Sequence, residues 1–405
     1  MSQTKKILIV APYPPPYGGI SSHIRDVTKR LTSKDFSISI LSFEKKFQQV
    51  KLNDNLHLYR VCNIIKFSFI LNYINKIFDI IKIFKSLWIK KISLRNFLSS
   101  LNRSLIVNDY LNKFKINTVA IYGTETGSII PFLKLLNPDL KICFTYYAGP
   151  IKDKSFYLKN LAFWKEVFLK SDRLSSSSKY CAQGTHIISK NISAEVIYVG
   201  IELNRFNLKD NKFFINKKIK KILFVGRMLE EMGVKAVIDI AEKMINLRED
   251  IVFDIIGASG PLSSAVRNLS ENYPDKINHK FDVSDSELNK YINNADILIA
   301  PTVGSHACMG VSAKEALASG IPVIASNSGG LPEAIENKVE GFVVPLLKGN
   351  IDIKGFCEAI SVLCDDDNMR LNMGSRARQK AERLFCNNIT EKKVSLFYTF
   401  ENNGY

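Results

Sequence analysis

The chain has 405 residues and a formal net charge of +17, from 56 Lys and Arg against 39 Asp and Glu. Its composition, 46% hydrophobic and 23% charged, is that of an ordinary globular protein and excludes a largely disordered chain. The length predicts two domains of roughly 150 to 200 residues each, because single hydrophobic cores stop growing near that size.

The positive charge favours a polyanionic partner, and three classes stay open: nucleic acid, an anionic membrane surface or a phosphorylated small molecule. An AT-rich genome would also produce excess lysine, with no partner implied. The seven cysteines are scattered and include no C-x-x-C pair. This pattern favours a reducing cytoplasm and argues against structural zinc.

The first apolar run, residues 7–11, predicts a buried strand. Two lysines precede it as in a signal peptide, but about five apolar residues are too few for the hydrophobic region of such a peptide. A proline-rich loop ending in Gly18 and Gly19 follows, and residues 20–31 have helical periodicity. A double glycine between strand and helix lets a ligand approach the backbone closely.

After a second predicted strand at residues 36–43, residues 64–97 carry apolar side chains every three to four positions, with seven basic residues against one acid, Asp79. Basic amphipathic helices with Trp and Phe on the apolar side lie in membrane interfaces, where each basic group adds about 1 kcal/mol. We predict that this segment binds an anionic membrane surface. The alternative is a pair of core helices whose lysines contact water. No stretch reaches the roughly 18 apolar residues of a membrane span.

Two further apolar runs, residues 117–122 and 141–146, predict strands of the first sheet. Each is followed by a loop expected at the carboxyl edge of that sheet. The second loop begins at Tyr147, whose phenol can donate a hydrogen bond but is a poor base near neutral pH.

In the second half of the chain, short apolar runs again alternate with glycine turns. The strand predicted at residues 222–225 ends at Gly226 and Arg227, and that predicted at residues 252–256 ends at Gly257. Between and after them we predict helices at residues 234–244, 263–273, 286–293 and 388–401, with a loop at residues 281–283.

The most informative stretch is residues 297–332. An apolar run stops at Pro301, a loop with Gly304 and Gly310 follows, and a helix is predicted at residues 312–319 with Glu315 in its first turn. This order presents backbone N–H groups to an anionic ligand outside the carboxyl ends of a parallel sheet. Any doubly wound sheet needs glycines at such turns, so a site is indicated more by Glu315, whose carboxylate can accept sugar hydroxyls.

Residues 315–335, EALASGIPVIASNSGGLPEAI, resemble the signature of the retaining glycosyltransferases of family 4. The resemblance implies an α/β structure of the GT-B type, with two doubly wound Rossmann-like domains and a cleft between them. It implies an acceptor-side domain at residues 1–199 and a nucleotide-sugar-binding domain at residues 200–385. The last residues, 386–405, are expected to form a helix that packs back on the first domain.

The resemblance also implies roles for individual residues. Arg227 and Glu315 are the implied catalytic pair, on the donor diphosphate and on the ribose hydroxyls. The implied donor-binding residues are Gly18, Gly19, Gly226, Lys235, Gly257, Val283, Gly310, Val311 and Ser312. On the acceptor or sugar side the resemblance implies His23 and Tyr147, although a single histidine in a helix is more often a surface residue. No metal ion or other cofactor is expected, because arginine and helix termini bind the diphosphate.

Three positions depart from the family pattern. Ala307 stands where the family has its first glutamate, Met232 where it has a lysine, and Tyr147 where it has a histidine. Lys235 lies one turn beyond Met232 and could reach the same region. Because an arginine binds phosphate bidentately, loss of the lysine weakens the phosphate site without abolishing it.

Three hypotheses for function follow. The first is transfer of a sugar from a nucleotide sugar to a glycan or polyprenyl-linked acceptor in bacterial surface polysaccharide assembly, by a cytoplasmic protein peripheral to the inner face of the cell membrane. The second is a catalytically degenerate subunit that binds a partner or glycan. The third, with least support, is a basic scaffold or nucleic-acid binder without a small-molecule site.

Other chemistries are disfavoured. The three aspartates at residues 365–367 are predicted to cap a turn between helices and not to hold a metal. A Gly-Lys-Ser/Thr phosphate loop is missing from the sequence, and so is an aromatic-basic signature for RNA. His306 and Cys308 lack two further ligands for zinc.

Overall fold

The computed structural model describes residues 4–14, 19–45, 47–62, 94–147, 161–206, 217–304 and 308–400. The chain divides into two compact units, one of residues 1–198 and 390–405 and the other of residues 199–389. The chain therefore passes between the units twice, after residue 198 and after residue 389.

The first unit is built on an eight-stranded sheet. Its strands are β1 (Lys5–Val10), β2 (Phe36–Glu44), β3 (Gln48–Asn53), β4 (Leu56–Cys62), β5 (Thr118–Tyr122), β6 (Lys141–Tyr146), β7 (Arg173–Ser176) and β8 (Glu195–Val196). They lie in the order β3-β4-β2-β1-β5-β6-β7-β8. All neighbours pair in parallel except the edge strand β3, which is antiparallel to β4.

Helices cover both faces of this sheet. They are α1 (Gly19–Leu31), α2 (Leu94–Phe114), α3 (Thr124–Gly127), α4 (Ile130–Leu136), α5 (Leu161–Leu169) and α6 (Lys179–Ile188). In β1, Leu8 and Val10 enter one core cluster while Ile7 and Ile9 enter another, because successive side chains point to opposite faces of a strand. A strand buried on both faces is typical of a parallel sheet between helix layers.

The second unit is built on a six-stranded parallel sheet. Its strands are β9 (Lys220–Val225), β10 (Ile251–Gly257), β11 (Ile277–Phe281), β12 (Ile297–Ala300), β13 (Val323–Ser326) and β14 (Gly341–Val344), and a hairpin of β15 (Leu346–Leu347) and β16 (Asn350–Ile351) follows. The order β11-β10-β9-β12-β13-β14 is the 3-2-1-4-5-6 order of a dinucleotide-binding fold. The predicted α/β fold of two doubly wound Rossmann-like sheets is confirmed.

The helices of the second unit lie between its strands and after them. They are α7 (Val234–Leu247), α8 (Ser263–Asn272), α9 (Asp285–Asn294), α10 (Val311–Ala318), α11 (Leu331–Ala334), α12 (Ile353–Asp365) and α13 (Asp367–Lys380), and the last helix of the chain is α14 (Asn387–Thr399). The Asp366 carboxylate accepts from Met369 N–H at 2.8 Å between α12 and α13. The predicted capping role of this acidic run is confirmed.

The predicted membrane segment, residues 64–97, lies mostly outside the described residues. Only its last four residues are described, and they begin α2. Phe97 there is buried in the core, with its ring 5.3 Å from that of Phe132. Among the helices of the described ranges, none is long and apolar enough to span a bilayer.

Candidate functional site

The strand order of the second unit contains one topological switch point. β9 and β12 are paired neighbours, with Leu223 opposite Leu298, yet the chain runs away from them in opposite directions across the sheet. In an open α/β sheet, ligands bind outside the carboxyl ends of the strands at such a switch point. Arg227 follows β9, and Glu315 lies in the helix that follows β12. The topology therefore brings the loop that carries Arg227 and the helix that carries Glu315 to the same edge.

Backbone hydrogen bonds join the loops at this edge. Met228 N–H donates to Ala258 C=O at 3.0 Å, which ties the loop after β9 to the loop after β10. Val303 N–H donates to Glu231 C=O at 3.1 Å, which ties in the loop after β12. From the loop after β13, the Ser328 hydroxyl donates to Gly304 C=O at 2.8 Å. Four loops thus form one connected platform around the switch point.

Gly257 allows two of these loops to approach. It has φ +151°, and a Cβ added there would lie 1.8 Å from the carbonyl oxygen of Gly226. The predicted donor-binding glycines 226 and 257 therefore have a packing role that the structure shows directly.

We expect Gly257→Ala to lower the free energy of unfolding by at least about 2 kcal/mol, because it adds backbone strain to a steric clash. Urea unfolding followed by circular dichroism measures this loss. Gly349→Ala is the matched control, since Gly349 also has positive φ but no atom lies within 4 Å of the added Cβ. Equal losses of unfolding free energy in the two variants would show that the close approach at Gly257 does not contribute to the effect of the substitution.

Arg227 is an exposed residue at the start of the loop after β9. Lys235, at the start of α7, is also exposed, and its ammonium pairs with the Glu230 carboxylate at 2.8 Å. Met232 is half-buried against the core of the unit, and a Cβ on Gly226 would lie 3.1 Å from its methyl group. The position where the family has a lysine is thus an apolar packing position, while Lys235 keeps a positive charge near Arg227 in the chain.

The helix after β12 begins one residue earlier than predicted, at Val311. Gly310 precedes the N-terminus of this helix and has φ +67°. Val311 and Ser312 provide the first helical N–H groups, which have no acceptor within the helix. Glu315 is consequently the fifth helical residue and lies beyond the first turn, where it is half-buried. Ala307 lies outside the described residues.

Lys314 is a buried base that the sequence did not single out as functional. Its side chain is 1% exposed, its ammonium donates to Val199 C=O at 2.8 Å, and it lies 5.7 Å from the centre of the Phe385 ring. Burial lowers the pKa of Lys314 to about 7, although the charges of Glu315 and Cys308 oppose this shift. Lys314 therefore connects the helix that carries Glu315 to the first and last segments of the second unit.

Those two segments also pair with each other. Ile201 N–H donates to Phe385 C=O at 2.6 Å, and Asn387 N–H donates to Ile201 C=O at 3.1 Å. A lysine in a predicted helix normally reaches solvent, and Val199 is 115 residues away in sequence. No local sequence signal could have shown this contact.

The loop after β11 is hydrogen-bonded to the loop after β10. Asp282 N–H donates to Gly257 C=O at 2.7 Å, and the Asp282 carboxylate accepts from the backbone and the hydroxyl of Ser259. These hydrogen bonds lower the pKa of Asp282, with the bond from the Ser259 hydroxyl as the largest cause. Val283, a predicted donor-binding residue, follows in this loop and is half-buried.

In the first unit the switch point lies between β1 and β5. Gly18 is outside the described residues, and Gly19 is the first residue of α1. His23 is only 7% exposed, so the interpretation of it as a surface histidine is wrong. The Tyr122 ring lies 6.2 Å from the His23 ring and 6.4 Å from the Tyr147 ring. The structure therefore brings His23 and Tyr147 together around the end of β5.

Arg60 is a second residue that the sequence analysis missed. It is 7% exposed, its guanidinium donates to Pro14 C=O at 2.6 Å, and it pairs with the Glu44 carboxylate. It thus holds the loop that leads toward Gly18. In the described part of the chain, no group of three or more His, Cys, Asp or Glu side chains is arranged to hold a metal ion.

Comparison with known proteins is consistent with this geometry. Residues 206–380 match the family described as "Glycosyl transferases group 1". The capsular polysaccharide biosynthesis glycosyltransferase CapM of Staphylococcus aureus is 28% identical over 213 residues, which cover 50% of this chain and 53% of CapM. The putative colanic acid biosynthesis glycosyltransferase WcaL of Escherichia coli K12 is 24% identical over 204 residues, which cover 49% and 48%. The chain thus spans about half the length of these curated relatives.

Solved structures match over the whole chain. Sucrose-phosphate synthase from Thermosynechococcus elongatus has a TM-score of 0.76 at 16% identity and covers 98% of both chains. Anabaena HepE, solved in complex with UDP and glucose, has a TM-score of 0.70 at 12% identity and covers 98% of this chain and 100% of HepE. This likeness shows a fold of the GT-B type. Within that fold, the match to group 1 glycosyl transferases covers residues 206–380, most of the second unit.

Proposed function

We propose that the protein transfers a sugar from a nucleotide-sugar donor to a glycan or polyprenyl-linked acceptor. The observation that carries the proposal is the switch point between β9 and β12, where the loop bearing Arg227 meets the loop that leads into α10, the helix of Glu315. A cation, a carboxylate and unpaired helical N–H groups are the groups that a nucleoside diphosphate requires.

In this proposal Arg227 binds the diphosphate through its two parallel N–H donors. Val311 and Ser312 donate their N–H groups to the same phosphates, and the Glu315 carboxylate accepts the ribose hydroxyls. Cleavage of the sugar–phosphate bond places negative charge on the leaving diphosphate. Its stabilisation by Arg227 and the helix terminus is the largest catalytic contribution, and the mechanism needs no metal ion.

Several finer parts of the proposal rest on resemblance. Membership of family 4 and retention of the anomeric configuration rest on residues 315–335. CapM and WcaL are named for capsular polysaccharide and colanic acid biosynthesis, which supports bacterial surface polysaccharide as the product. HepE binds UDP and glucose, which supports a UDP-linked donor. Peripheral binding to the inner face of the cell membrane rests on the basic residues at 64–97 and the net charge.

A degenerate subunit is the second candidate, and one observation favours it. Met232 is packed where the family has a phosphate-binding lysine, and Lys235 is paired with Glu230 in the free protein. A protein that had lost transfer could still bind the nucleotide through Arg227 and the helix terminus.

A panel of UDP-, GDP- and ADP-linked hexoses separates the candidates. We expect release of nucleoside diphosphate from at least one donor, measured by a coupled assay. We also expect stabilisation by the matching diphosphate, of about 2.7 kcal/mol at 100 times its Kd. Stabilisation without turnover would support the degenerate subunit instead. If the protein shows neither turnover nor stabilisation by any diphosphate, both candidates are contradicted.

A further inference from the structure

One carboxylate of the second unit stands where a parallel sheet normally has an apolar side chain. Asp254 is in the middle of β10, opposite Leu223 of β9 and Asn278 of β11, and is 3% exposed. Strand faces beneath helices are usually continuous apolar surfaces. A buried carboxylate at this position lowers the free energy of unfolding. We therefore expect Asp254 to serve a function.

The described residues satisfy this carboxylate poorly. Its Oδ1 accepts one hydrogen bond, from the Asn278 amide at 3.1 Å, and no ammonium or guanidinium of the described residues lies within 4.0 Å of it. Burial raises the pKa of Asp254, and the more distant charges of Lys221 and Lys217 only oppose this shift. Neither oxygen of Asp254 is a fully buried atom without a partner, so its remaining hydrogen bonds go to groups outside the fold.

Asp254 forms part of the wall of an open cavity of about 800 Å³ on this face of the sheet. Lys221 and Asn278 lie beside it on the neighbouring strands. α9 packs on β9 and β10 and contributes Lys290 and Tyr291 to the opposite wall. We call this cavity the strand-face groove. Its volume is within the range of about 300–1,000 Å³ that is usual for small-molecule sites.

One side of α9 faces the groove. Glu287, Lys290, Tyr291 and Asn294 recur at the three- and four-residue spacing of a single helical face. In the described structure the Lys221 and Lys290 ammonium groups and the Tyr291 hydroxyl donate to no protein group. Lys290 and Tyr291 face the acceptor Asp254 across the groove, and Lys221 lies beside it on β9.

The charged side chains that line the strand-face groove determine which class of ligand can bind there. An anion would meet the Asp254 carboxylate, and a cation would meet Lys221 and Lys290. A neutral ligand with several hydroxyls can donate to the carboxylate and accept from the lysines at the same time. The Tyr291 ring can pack against the apolar face of such a ligand while its hydroxyl hydrogen-bonds. We propose that the strand-face groove binds a neutral sugar unit of a glycan.

The part of the groove around Asp254 and Lys221 lies away from the proposed donor site. Asp254 lies three residues before the end of β10, and Lys221 lies near the start of β9, whereas the donor is proposed to bind beyond the carboxyl ends of the strands. A glycan held here would add contacts to the second unit that do not depend on a nucleotide.

Saturation-transfer difference NMR with glucose, galactose, mannose, xylose, rhamnose and N-acetylglucosamine tests the proposal on the full chain without nucleotide. We expect at least one sugar to bind with Kd of about 10 mM or tighter, since affinities in this range give a measurable signal. Asp254→Val, which restores a usual strand residue, is expected to lose the signal and to keep or raise the melting temperature. Tyr291→Leu, on the helix surface, is expected to weaken binding at least about threefold.

Glu315→Ala is the control for a sugar whose hydroxyls bind the Glu315 carboxylate instead of Asp254, and it is expected to keep the signal. The proposal is overturned if none of the six sugars binds the wild-type protein, if the signal survives Asp254→Val, or if Glu315→Ala removes it. A variant Asp254→Val that unfolds or melts well below the wild type would also overturn it, because the carboxylate would then be structural. These outcomes are independent of whether the protein transfers sugar.

Discussion

Arg227→Ala is expected to lower kcat for sugar transfer by about 10²- to 10³-fold, the usual effect of removing one donor to a developing anion. Arg227 is exposed and contributes to no core cluster, so the free energy of unfolding should change by no more than about 0.5 kcal/mol. Initial rates with the donor found in the nucleotide-sugar panel, together with urea unfolding, measure both quantities.

Arg227→Lys is the matched control for this prediction. It keeps the positive charge but loses the planar pair of N–H donors, so its kcat should lie between those of the wild type and the alanine variant. If Arg227→Ala keeps more than half of the wild-type rate, the guanidinium does not stabilise the leaving diphosphate and the proposed mechanism fails.

The second large effect concerns stability and pH at Lys314. The unfolded chain keeps this amine protonated until about pH 10, whereas in the folded protein it loses its proton near pH 7. Between these values the unfolded state binds more protons, so stability rises with pH. From pH 6 to pH 9 the Lys314 contribution should raise the free energy of unfolding by about 2–3 kcal/mol. Below pH 7 both states are protonated and the contribution is constant.

Lys314→Met should remove this contribution, so that the stability of the wild type relative to the variant increases from pH 6 to pH 9. Urea unfolding at several pH values measures the difference. Lys235→Met is the control, because Lys235 is exposed at the start of α7 and its variant should follow the pH dependence of the wild type. Parallel curves for wild type and Lys314→Met would mean that the buried amine stays protonated in the folded protein.

The fold was predictable because its strands end at glycine loops. The predicted strands at residues 222–225 and 252–256 correspond to β9 and β10, and the predicted helix at residues 286–293 is one residue shorter at each end than α9. The hairpin of β3 and β4 was missed because β3 is almost entirely exposed and its alternating stretch has only two apolar residues, Val50 and Leu52. The spacing of apolar residues in a sequence reflects which side chains are buried, and a strand at the edge of a sheet buries little of its side-chain surface.

The candidate site was predictable only in part, for a different reason. Arg227 and Glu315 follow local strand-and-glycine patterns, and the strands that precede them, β9 and β12, are neighbours in the sheet. Lys314 and Asp254 could not be assigned, because their environments come from residues distant in sequence, such as Val199 and Asn278. The burial of His23 likewise depends on packing near Tyr122, which the sequence of α1 does not contain.

The central claim is that a nucleoside diphosphate binds at the switch point between β9 and β12. A crystal structure of the protein soaked with UDP tests this claim most directly. The proposed function predicts diphosphate oxygens within hydrogen-bond distance of the Arg227 guanidinium and the Val311 N–H group, with ribose hydroxyls on the Glu315 carboxylate. A nucleotide bound elsewhere, or an edge closed by side chains with Arg227 and Glu315 turned away, would contradict it.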